Sequence, residues 1–256
     1  MEARTGGGTG WVGIDSCKRV GKYRGWAVFW HDLSGRYGFA DYPDITKLMT
    51  EHNDAGCLLI DIPIGLPENS QQNVARPDQK LRSRLPGKAS SVFNTPCRQA
   101  VYAQDKQTAK ACNLQVLQKS LSEQSLGFTP KIREVDQFLL EQPQYIGRLR
   151  ESHPEYGFAI LNGNKPLVSK KTLPEGLKER TQLLSEYFIQ AEQAMAEIQN
   201  RYPKQLLDDF MDAMVLSVIG RLGMQYGFST IPQQPVGDSR GIPMEIVYSE
   251  PRLKES

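Results

Sequence analysis

Residues 57–67 read CLLIDIPIGLP, and this stretch decides the class of fold. Its first four residues are all apolar, a density that indicates a central strand buried on both faces. The preceding residues 44–52, DITKLMTEH, predict a short helix in which Asp44 is the cap. A strand that is reached through a helical crossover lies parallel to an earlier strand. The chain is therefore predicted to be an α/β protein.

Three aromatic-rich apolar runs precede this strand: WVGID (11–15), GWAVFWHD (25–32) and GRYGFADY (35–42). Short polar segments separate them, which is typical of an antiparallel meander. If the first of these strands pairs with the central strand, Asp15 and Asp61 lie side by side at the carboxyl ends of parallel strands. Open α/β sheets place their functional sites at that edge.

The rest of the chain extends this fold. Residues 67–143 show short helical stretches between loops and are predicted to be an insertion. Further predictions are a fifth strand at 156–163 (YGFAILNG), one long helix over 173–198 and a last major helix over 206–220. The predicted boundaries are a disordered tail over 1–10, one domain over 11–230 and an irregular tail over 231–256, in which MEIVYSE (244–250) is an edge strand or a loose end.

Composition sets limits on function. The chain has 256 residues, 39% of them hydrophobic, and a net charge of +2, so the global charge does not select a nucleic-acid partner. The four cysteines have no metal-binding spacing, which favours reduced thiols in a cytoplasm. No segment approaches the roughly twenty apolar residues of a membrane span, so we expect a cytoplasmic protein without a membrane partner.

The last predicted helix opens with three carboxylates, in LLDDFMDAMVLSVIG (206–220). Helical spacing places Asp212 on the same face as Asp208 and Asp209. One interpretation is that Asp208 or Asp209 caps the helix, and which of the two has another role stays open. Capping does not account for Asp212, which lies one turn inside among apolar residues, where an unpaired charge is costly.

Carboxylates from two strand ends and one helix can converge on a hard divalent cation. Asp15 and Asp61 each end an apolar run, and either alone is equally explained as a turn aspartate. Together with the helix acids they form an oxygen-only set, which suits Mg²⁺ or Mn²⁺. The sequence therefore predicts a metal site.

Six motifs occur in order between Val12 and Arg221: GIDSCKRVGKYRGWAV, IDIPIGLP, SSVFNTPCR, HPEYGF, SKKT followed by ER, and DDFMDA. Together they resemble an uncharacterised family of predicted nucleases with a ribonuclease H-like fold, and more distantly the RuvC-type junction resolvases. The resemblance implies a mixed five-stranded sheet flanked by helices. It also implies two metal ions held by the acids of the first strand, the fourth strand and a late helix, which are Asp15, Asp61, Asp209 and Asp212 here.

Further candidates surround these acids. Glu155 is a fifth candidate acid, with a solvated loop glutamate as the alternative, and His153 is a proton shuttle or a turn residue. Between residues 76 and 110 eight Lys and Arg stand against two Asp, a local net charge of +6. This stretch is interpreted as a phosphate clamp or as a solvated charged face. The predicted phosphate-binding residues are Lys18, Arg76, Arg82, Arg84, Lys88, Arg98 and Lys170.

The leading hypothesis is a metal-dependent nuclease that hydrolyses phosphodiester bonds of DNA or RNA, with nucleic acid as its partner. A second class is a nucleotide-dependent phosphotransferase or NTPase of related core. The glycine-rich GGGTG (6–10) does not support that class, because it precedes the first strand, whereas a phosphate loop follows one. A third class is a catalytically silent nucleic-acid-binding protein with the same fold.

Overall fold

The computed structural model describes residues 10–21 and 23–251, so the predicted tail over 1–10 lies outside it apart from Gly10. The strands are β1 (Trp11–Val20), β2 (Tyr23–His31), β3 (Tyr37–Tyr42), β4 (Cys57–Ile60), β5 (Leu149–Glu151), β6 (Ser229–Gly237) and β7 (Pro243–Tyr248). The helices are α1 (Ile45–Glu51), α2 (Ser70–Ala75), α3 (Asp78–Ser83), α4 (Arg98–Val101), α5 (Lys106–Leu117), α6 (Glu123–Glu141), α7 (Pro154–Leu161), α8 (Pro174–Ser185), α9 (Ala191–Arg201) and α10 (Leu207–Tyr226).

Five strands form one mixed sheet in the order β3-β2-β1-β4-β5. The pairs β1 with β2 and β2 with β3 are antiparallel, whereas β1 with β4 and β4 with β5 are parallel. The predicted meander and the parallel central strand are confirmed, as is α1 with Asp44 as its cap. The fold is an α/β, ribonuclease H-like arrangement of a five-stranded sheet flanked by helices.

The predicted position of the fifth strand is wrong. Residues 154–161 form α7, and the fifth strand is the three-residue segment Leu149–Glu151 just before it. Every residue of α7 is buried, so apolar residues occur on all of its sides. Without polar residues at regular intervals, a buried helix cannot be distinguished from a buried strand by periodicity. Pro154 at the first helical position favours the helix.

The single long helix predicted over 173–198 is two helices. α8 ends at Ser185 and α9 begins at Ala191. Between them Phe188 turns inward, 5% exposed, and its ring meets those of Phe29, His31 and Tyr37 at centroid distances of 5.6, 5.0 and 5.7 Å. Burial of this aromatic side chain in the core accounts for the break.

Helices cover both faces of the sheet. α10 packs against β1, β2 and β4, while α6 contributes Ile132, Val135 and Phe138 to the core on the opposite face. The contact with β1 is close at Gly13, where an added Cβ would lie 1.9 Å from the carbonyl oxygen of Ala213. Glycine therefore sets the distance at which α10 crosses the central strand.

The segment expected as an irregular tail forms a hairpin of β6 and β7. It packs beside β5, where the Ser152 hydroxyl donates to the carbonyl of Val247 at 2.8 Å and Arg150 Nε donates to Glu245 at 3.0 Å. The strand interpretation of 244–250 is thus confirmed. In the described ranges, none of the helices has the length and apolar character needed to cross a membrane.

Candidate functional site

Two aspartates meet where the parallel pairing of β1 and β4 ends: Asp15 lies in the middle of β1, which continues to Val20, and Asp61 directly follows β4. The backbone N–H of Asp61 donates to the carbonyl of Ile14 at 3.0 Å, which continues the parallel pairing by one residue. Asp15 and Asp61 are thereby neighbours, as the sequence predicts. Both line a cleft of about 620 Å³ at this edge of the sheet.

The first turns of α10 bring further carboxylates to the same place. Burial raises the pKa of Asp15 well above its usual range, and the charges of Asp61, Asp209 and Asp212 raise it further. Burial and the charge of Asp212 raise the pKa of Asp61 to about 8. The four predicted acids therefore interact as one cluster, in which each negative charge disfavours the next.

The capping interpretation of the α10 acids does not hold. The cap position is Leu206, which makes no side-chain capping bond, and Asp208 and Asp209 lie in the first turn. Asp208, Asp209 and Asp212 are 7%, 3% and 1% exposed. Asp209 lines the cleft beside Asp15 and Asp61, whereas Asp208 acts through its charge on the pKa of Asp212.

Lys171 supplies a positive charge to this cluster. Its ammonium donates to Oδ2 of Asp212 in a short contact, while Oδ1 of Asp212 is buried without a hydrogen-bond partner. Burial lowers the pKa of Lys171, but the charges of Asp212 and Asp15 outweigh burial and raise it above its usual range. Sequence reasoning selected Lys170, which is exposed, although the SKKT motif contains both lysines.

Glu155 lies beside the cluster, in the first turn of α7 and not before a strand. Its side chain is buried, which rules out a solvated loop residue, and Oε1 accepts from the fully buried Arg180 at 2.7 Å. Oε2 has no partner, and the charge of Glu155 raises the pKa of Asp61 and Asp212. Glu155 therefore adds to the negative potential of the cluster while Arg180 balances part of its charge.

His153 caps α7, since its ring nitrogen Nδ1 accepts from the backbone N–H of Tyr156 at 3.4 Å. Burial lowers the pKa of His153 to about 4, so the imidazole is neutral at pH 7. The residue also lines the cleft. It is accordingly a capping residue with a neutral ring at the cleft wall.

Two arginines of the predicted phosphate clamp form ion pairs inside the protein. Arg76, 2% exposed, pairs with Glu151 at 2.9 Å and with Asp78 at 3.2 Å. Arg98, 6% exposed, pairs with Asp238 at 2.5 Å and also reaches Asp136 and Glu68. The assignment of Arg76 and Arg98 to phosphate binding is wrong, because these guanidinium groups are buried against carboxylates.

The remaining predicted basic residues do not line the cleft either, in the part of the chain that is described. Arg82 donates to the carbonyl of Val92 at 2.9 Å, Arg84 to the Tyr156 hydroxyl at 2.7 Å, and Lys88 to the carbonyl of Ser169 at 3.2 Å. The side chain of Lys18 lies outside the described residues. Among the described residues the cations that line the cleft are Lys131 and Lys171. The sequence did not single out Lys131, whereas both lysines of SKKT were open to interpretation as phosphate contacts and only Lys170 was predicted as one.

The wall that carries Lys131 is aromatic. Phe93 and Phe128 line it beside Gly127, and their rings lie parallel with centroids 5.0 Å apart and an interplanar angle of 2°. Phe93 belongs to the motif SSVFNTPCR, one of those that carry the family resemblance. That motif was the sequence signal by which Phe93 could have been identified as a site residue. The cleft lining therefore combines carboxylates with a pair of aromatic rings and two lysines.

The donor chemistry of the cluster fits a hard cation. All of its donor oxygens belong to carboxylates, and Oδ1 of Asp212 is buried without a hydrogen-bond partner. A bound cation would relieve the repulsion between the negative charges of these carboxylates. Among residues 10–21 and 23–251, however, no three His, Cys, Asp or Glu side chains are already arranged to hold a metal ion. In this arrangement the ammonium of Lys171 is the cation that contacts Asp212.

Fold and site together define a ribonuclease H-like α/β protein with a carboxylate-lined cleft. The chain belongs to the family described as "Protein of unknown function (DUF429)", which matches residues 13–236. That match contains Asp15, Asp61, Asp209 and Asp212. No curated protein and no solved structure matches the chain.

Proposed function

We propose that this protein is a metal-dependent nuclease that hydrolyses phosphodiester bonds of DNA or RNA, related in its site to the RuvC-type resolvases. The observation that carries the proposal is the group of aspartates on β1, directly after β4 and in the first turns of α10, whose charges repel one another and of which Asp15, Asp61 and Asp209 line one cleft. Like-charged buried groups at a cleft are characteristic of sites that bind cations or move protons.

Asp15, Asp61, Asp209 and Asp212 would hold the Mg²⁺ or Mn²⁺ ions. Such ions supply an activated water and neutralise charge on the leaving oxygen of a phosphodiester. Lys171 contributes positive charge at Asp212 before the ions bind, and it is free to contact a phosphate once they do. Glu155, held by Arg180, strengthens the negative potential that attracts cations.

A cleavage screen tests this function. End-labelled single-stranded, duplex, hybrid and junction substrates of DNA and RNA are incubated with Mg²⁺ or Mn²⁺ and either the parent or the Asp61→Asn protein. We expect cleavage of at least one substrate by the parent, and a loss of at least 100-fold in the variant, since one charge of the cluster is removed. Absence of cleavage throughout, or equal cleavage by both proteins, would reject the proposal.

A second candidate is a silent member of the fold that binds nucleic acid without cutting it. The contact of Lys171 with Asp212 favours it, because an ammonium group already balances part of the cluster. Calorimetric titration with Mg²⁺ and Mn²⁺ separates the two candidates. Metal binding that is lost in the Asp61→Asn protein supports the nuclease, whereas nucleic-acid binding without metal binding supports the silent protein.

A further inference from the structure

Phe93 and Phe128 form a paired aromatic surface on the wall of the acidic cleft. Phe93 follows the 3-10 turn Ala89–Ser91, and Phe128 lies on α6, so two distant segments build the pair. A centroid distance of 5.0 Å at an interplanar angle of 2° is an offset stack. Both rings are only partly buried, at the margin of the core that they adjoin.

The position of this pair is not explained by core packing alone. Parallel stacking also occurs at the core, where the rings of Phe29 and Tyr37 meet at an interplanar angle of 16°, so the ring angle by itself does not set this pair apart. What distinguishes Phe93 and Phe128 is that both rings are partly exposed and line the cleft together with Asp15, Asp61 and Asp209. Beside them Gly127 leaves open space, because a Cβ added there meets no atom within 4 Å. A flat apolar group could therefore contact these rings and occupy the open space beside Gly127.

A charged residue beside the two rings indicates which kind of ligand would bind there. Lys131 lies one turn after Phe128 and lines the cleft, held by Glu134 at 2.9 Å and by the ring of Trp26 at 4.3 Å. Asp15, Asp61, Asp209 and Lys171 line the same cleft. A ligand that carries an aromatic ring and an anionic group matches this combination, and a nucleotide unit is such a ligand. A base in a duplex has neighbours on both faces, so it stacks on protein only when it is unpaired.

We propose that Phe93 and Phe128 are a stacking shelf for a nucleobase of single-stranded DNA or RNA, which holds the strand against the aspartates. The inference rests on the proposed function for the class of ligand, and it names the substrate form as single-stranded. A volume of about 620 Å³ is of the size that holds a drug-sized ligand, which accords with one or two nucleotide units.

Binding of short oligonucleotides in EDTA tests the shelf without requiring cleavage. Fluorescence anisotropy compares a labelled oligothymidine with an abasic strand of the same length. We expect Phe93→Ala and Phe128→Ala each to weaken binding of oligothymidine by about 5- to 150-fold, because base stacking on an aromatic ring is lost. Binding of the abasic strand should be the same for parent and variants, since it has no base to stack.

Matched variants separate stacking from damage to the fold. Phe93→Tyr keeps a flat ring and should bind within about 3-fold of the parent. Phe228→Ala removes a partly buried ring outside the cleft, over which Arg150 lies at 5.0 Å, and should leave the discrimination between the two strands unchanged. Gly127→Leu fills the open space and should weaken oligothymidine binding while the protein stays folded.

The shelf is rejected if the parent does not bind oligothymidine, or if the Phe variants lose both strands equally. It is also rejected if the Phe93→Tyr protein is as weak as the Phe93→Ala protein. Base-dependent binding in a protein that never cleaves would retain the shelf and reject the nuclease. Cleavage that depends on Asp61, with no base-dependent effect of Phe93, would retain the nuclease and reject the shelf.

Discussion

At Lys171 a partly exposed ammonium group meets the buried carboxylate of Asp212, whose other oxygen has no partner. Removing one member of a buried ion pair costs roughly 3–5 kcal/mol. The cost here is smaller, because the side chain of Lys171 is 35% exposed and solvent screens its charge. The residue is thus a counter-ion of the cluster and not a rigid part of the core.

We predict that Lys171→Met lowers the free energy of unfolding in EDTA by about 1 to 3 kcal/mol. Mg²⁺ should stabilise this variant more than the parent, because an ion no longer competes with the ammonium for Asp212. Thermal melting followed by circular dichroism, with and without Mg²⁺, measures both effects. The exposed neighbour gives the control, since Lys170→Met should change stability by less than about 0.5 kcal/mol. Equal behaviour of the two variants contradicts the counter-ion role.

Asp61 and Asp212 should respond differently to the same substitution. With a folded pKa of about 8, Asp61 is mostly protonated in the folded protein at pH 7 but ionised in the unfolded chain, so folding must take up a proton. Asp61→Asn removes that cost and should stabilise the metal-free protein by roughly 1 to 4 kcal/mol at pH 7. Asp212→Asn removes a charge but leaves Lys171 without its partner, so its gain should be smaller or reversed. Denaturant unfolding in EDTA compares the two. A higher stability of the Asp212 variant than of the Asp61 variant would be inconsistent with this account.

The pKa of Asp61 also sets a dependence on pH. Its folded value of about 8 lies above the unfolded value of about 3.9, so the folded state holds the proton more tightly. Metal-free stability should therefore fall as pH rises from about 4 to 8, and this contribution should level off above pH 8. Asp61→Asn should flatten that fall. Unfolding free energies measured across this range check the sign, and a parallel fall in both proteins would refute it.

At the scale of secondary-structure elements, the crossing of β1 and α10 brings the acids of strand and helix together. Gly13 makes that crossing possible, because a Cβ at this position would lie 1.9 Å from the Ala213 carbonyl and 2.6 Å from the Ser217 nitrogen. Both are backbone atoms of a helix and cannot rotate away. Any side chain at this position therefore pushes α10 from the sheet and moves Asp209 and Asp212 relative to Asp15.

We predict that Gly13→Ala destabilises the protein by at least roughly 1 to 3 kcal/mol, the usual cost of overpacking. It should also weaken binding of Mg²⁺, since the acids of β1 and α10 are displaced. Gly127→Ala is the matched control: it sits in α6 with open space around it and should stabilise by about 0.5 to 1 kcal/mol. Melting temperatures and metal titrations measure both. A Gly13→Ala protein as stable as the parent would show that the helix can shift freely.

At the scale of the whole molecule, Arg98 connects segments that are far apart in the chain. Its guanidinium on α4 reaches Asp238 after β6, Asp136 on α6 and Glu68 before α2. The segment predicted as an insertion is thereby tied to the C-terminal hairpin. Arg76 has a similar role, since it joins α3 to Glu151 at the end of β5. Both arginines therefore link separate segments of the chain through buried ion pairs.

Substitution of Arg98 should therefore affect stability and not phosphate binding. We predict that Arg98→Met costs about 3–5 kcal/mol, because Asp238 stays buried without its cation. Lys131→Ala should instead reduce the slope of log binding constant against log salt by about 0.7, the loss of one phosphate contact on a single strand. Denaturant unfolding and salt titration of oligonucleotide binding measure the two effects. A changed slope in a folded Arg98→Lys protein would restore Arg98 as a phosphate contact.

The sequence by itself determined the central part of the fold. The meander, the crossover helix and the buried strand before Asp61 each have a local pattern, and chain connectivity then places Asp15 beside Asp61. The same patterns predicted the carboxylates of α10. Local periodicity was not sufficient at α7 or at Phe188, because a segment buried on all sides, or a single residue drawn into the core, has no periodic signature.

Only the tertiary structure decided which partner each charge has. The basic stretch around Arg76 and Arg98 suggested a phosphate clamp, but carboxylates from β5 and the C-terminal hairpin neutralise both arginines inside the protein. Lys171, and not Lys170, reaches Asp212, and Phe93 meets Phe128, which lies 35 positions further along the chain. The physical reason is that a pattern of residue types specifies burial and periodicity locally. The partner of a charge or of an aromatic ring depends on distances that only the folded chain defines.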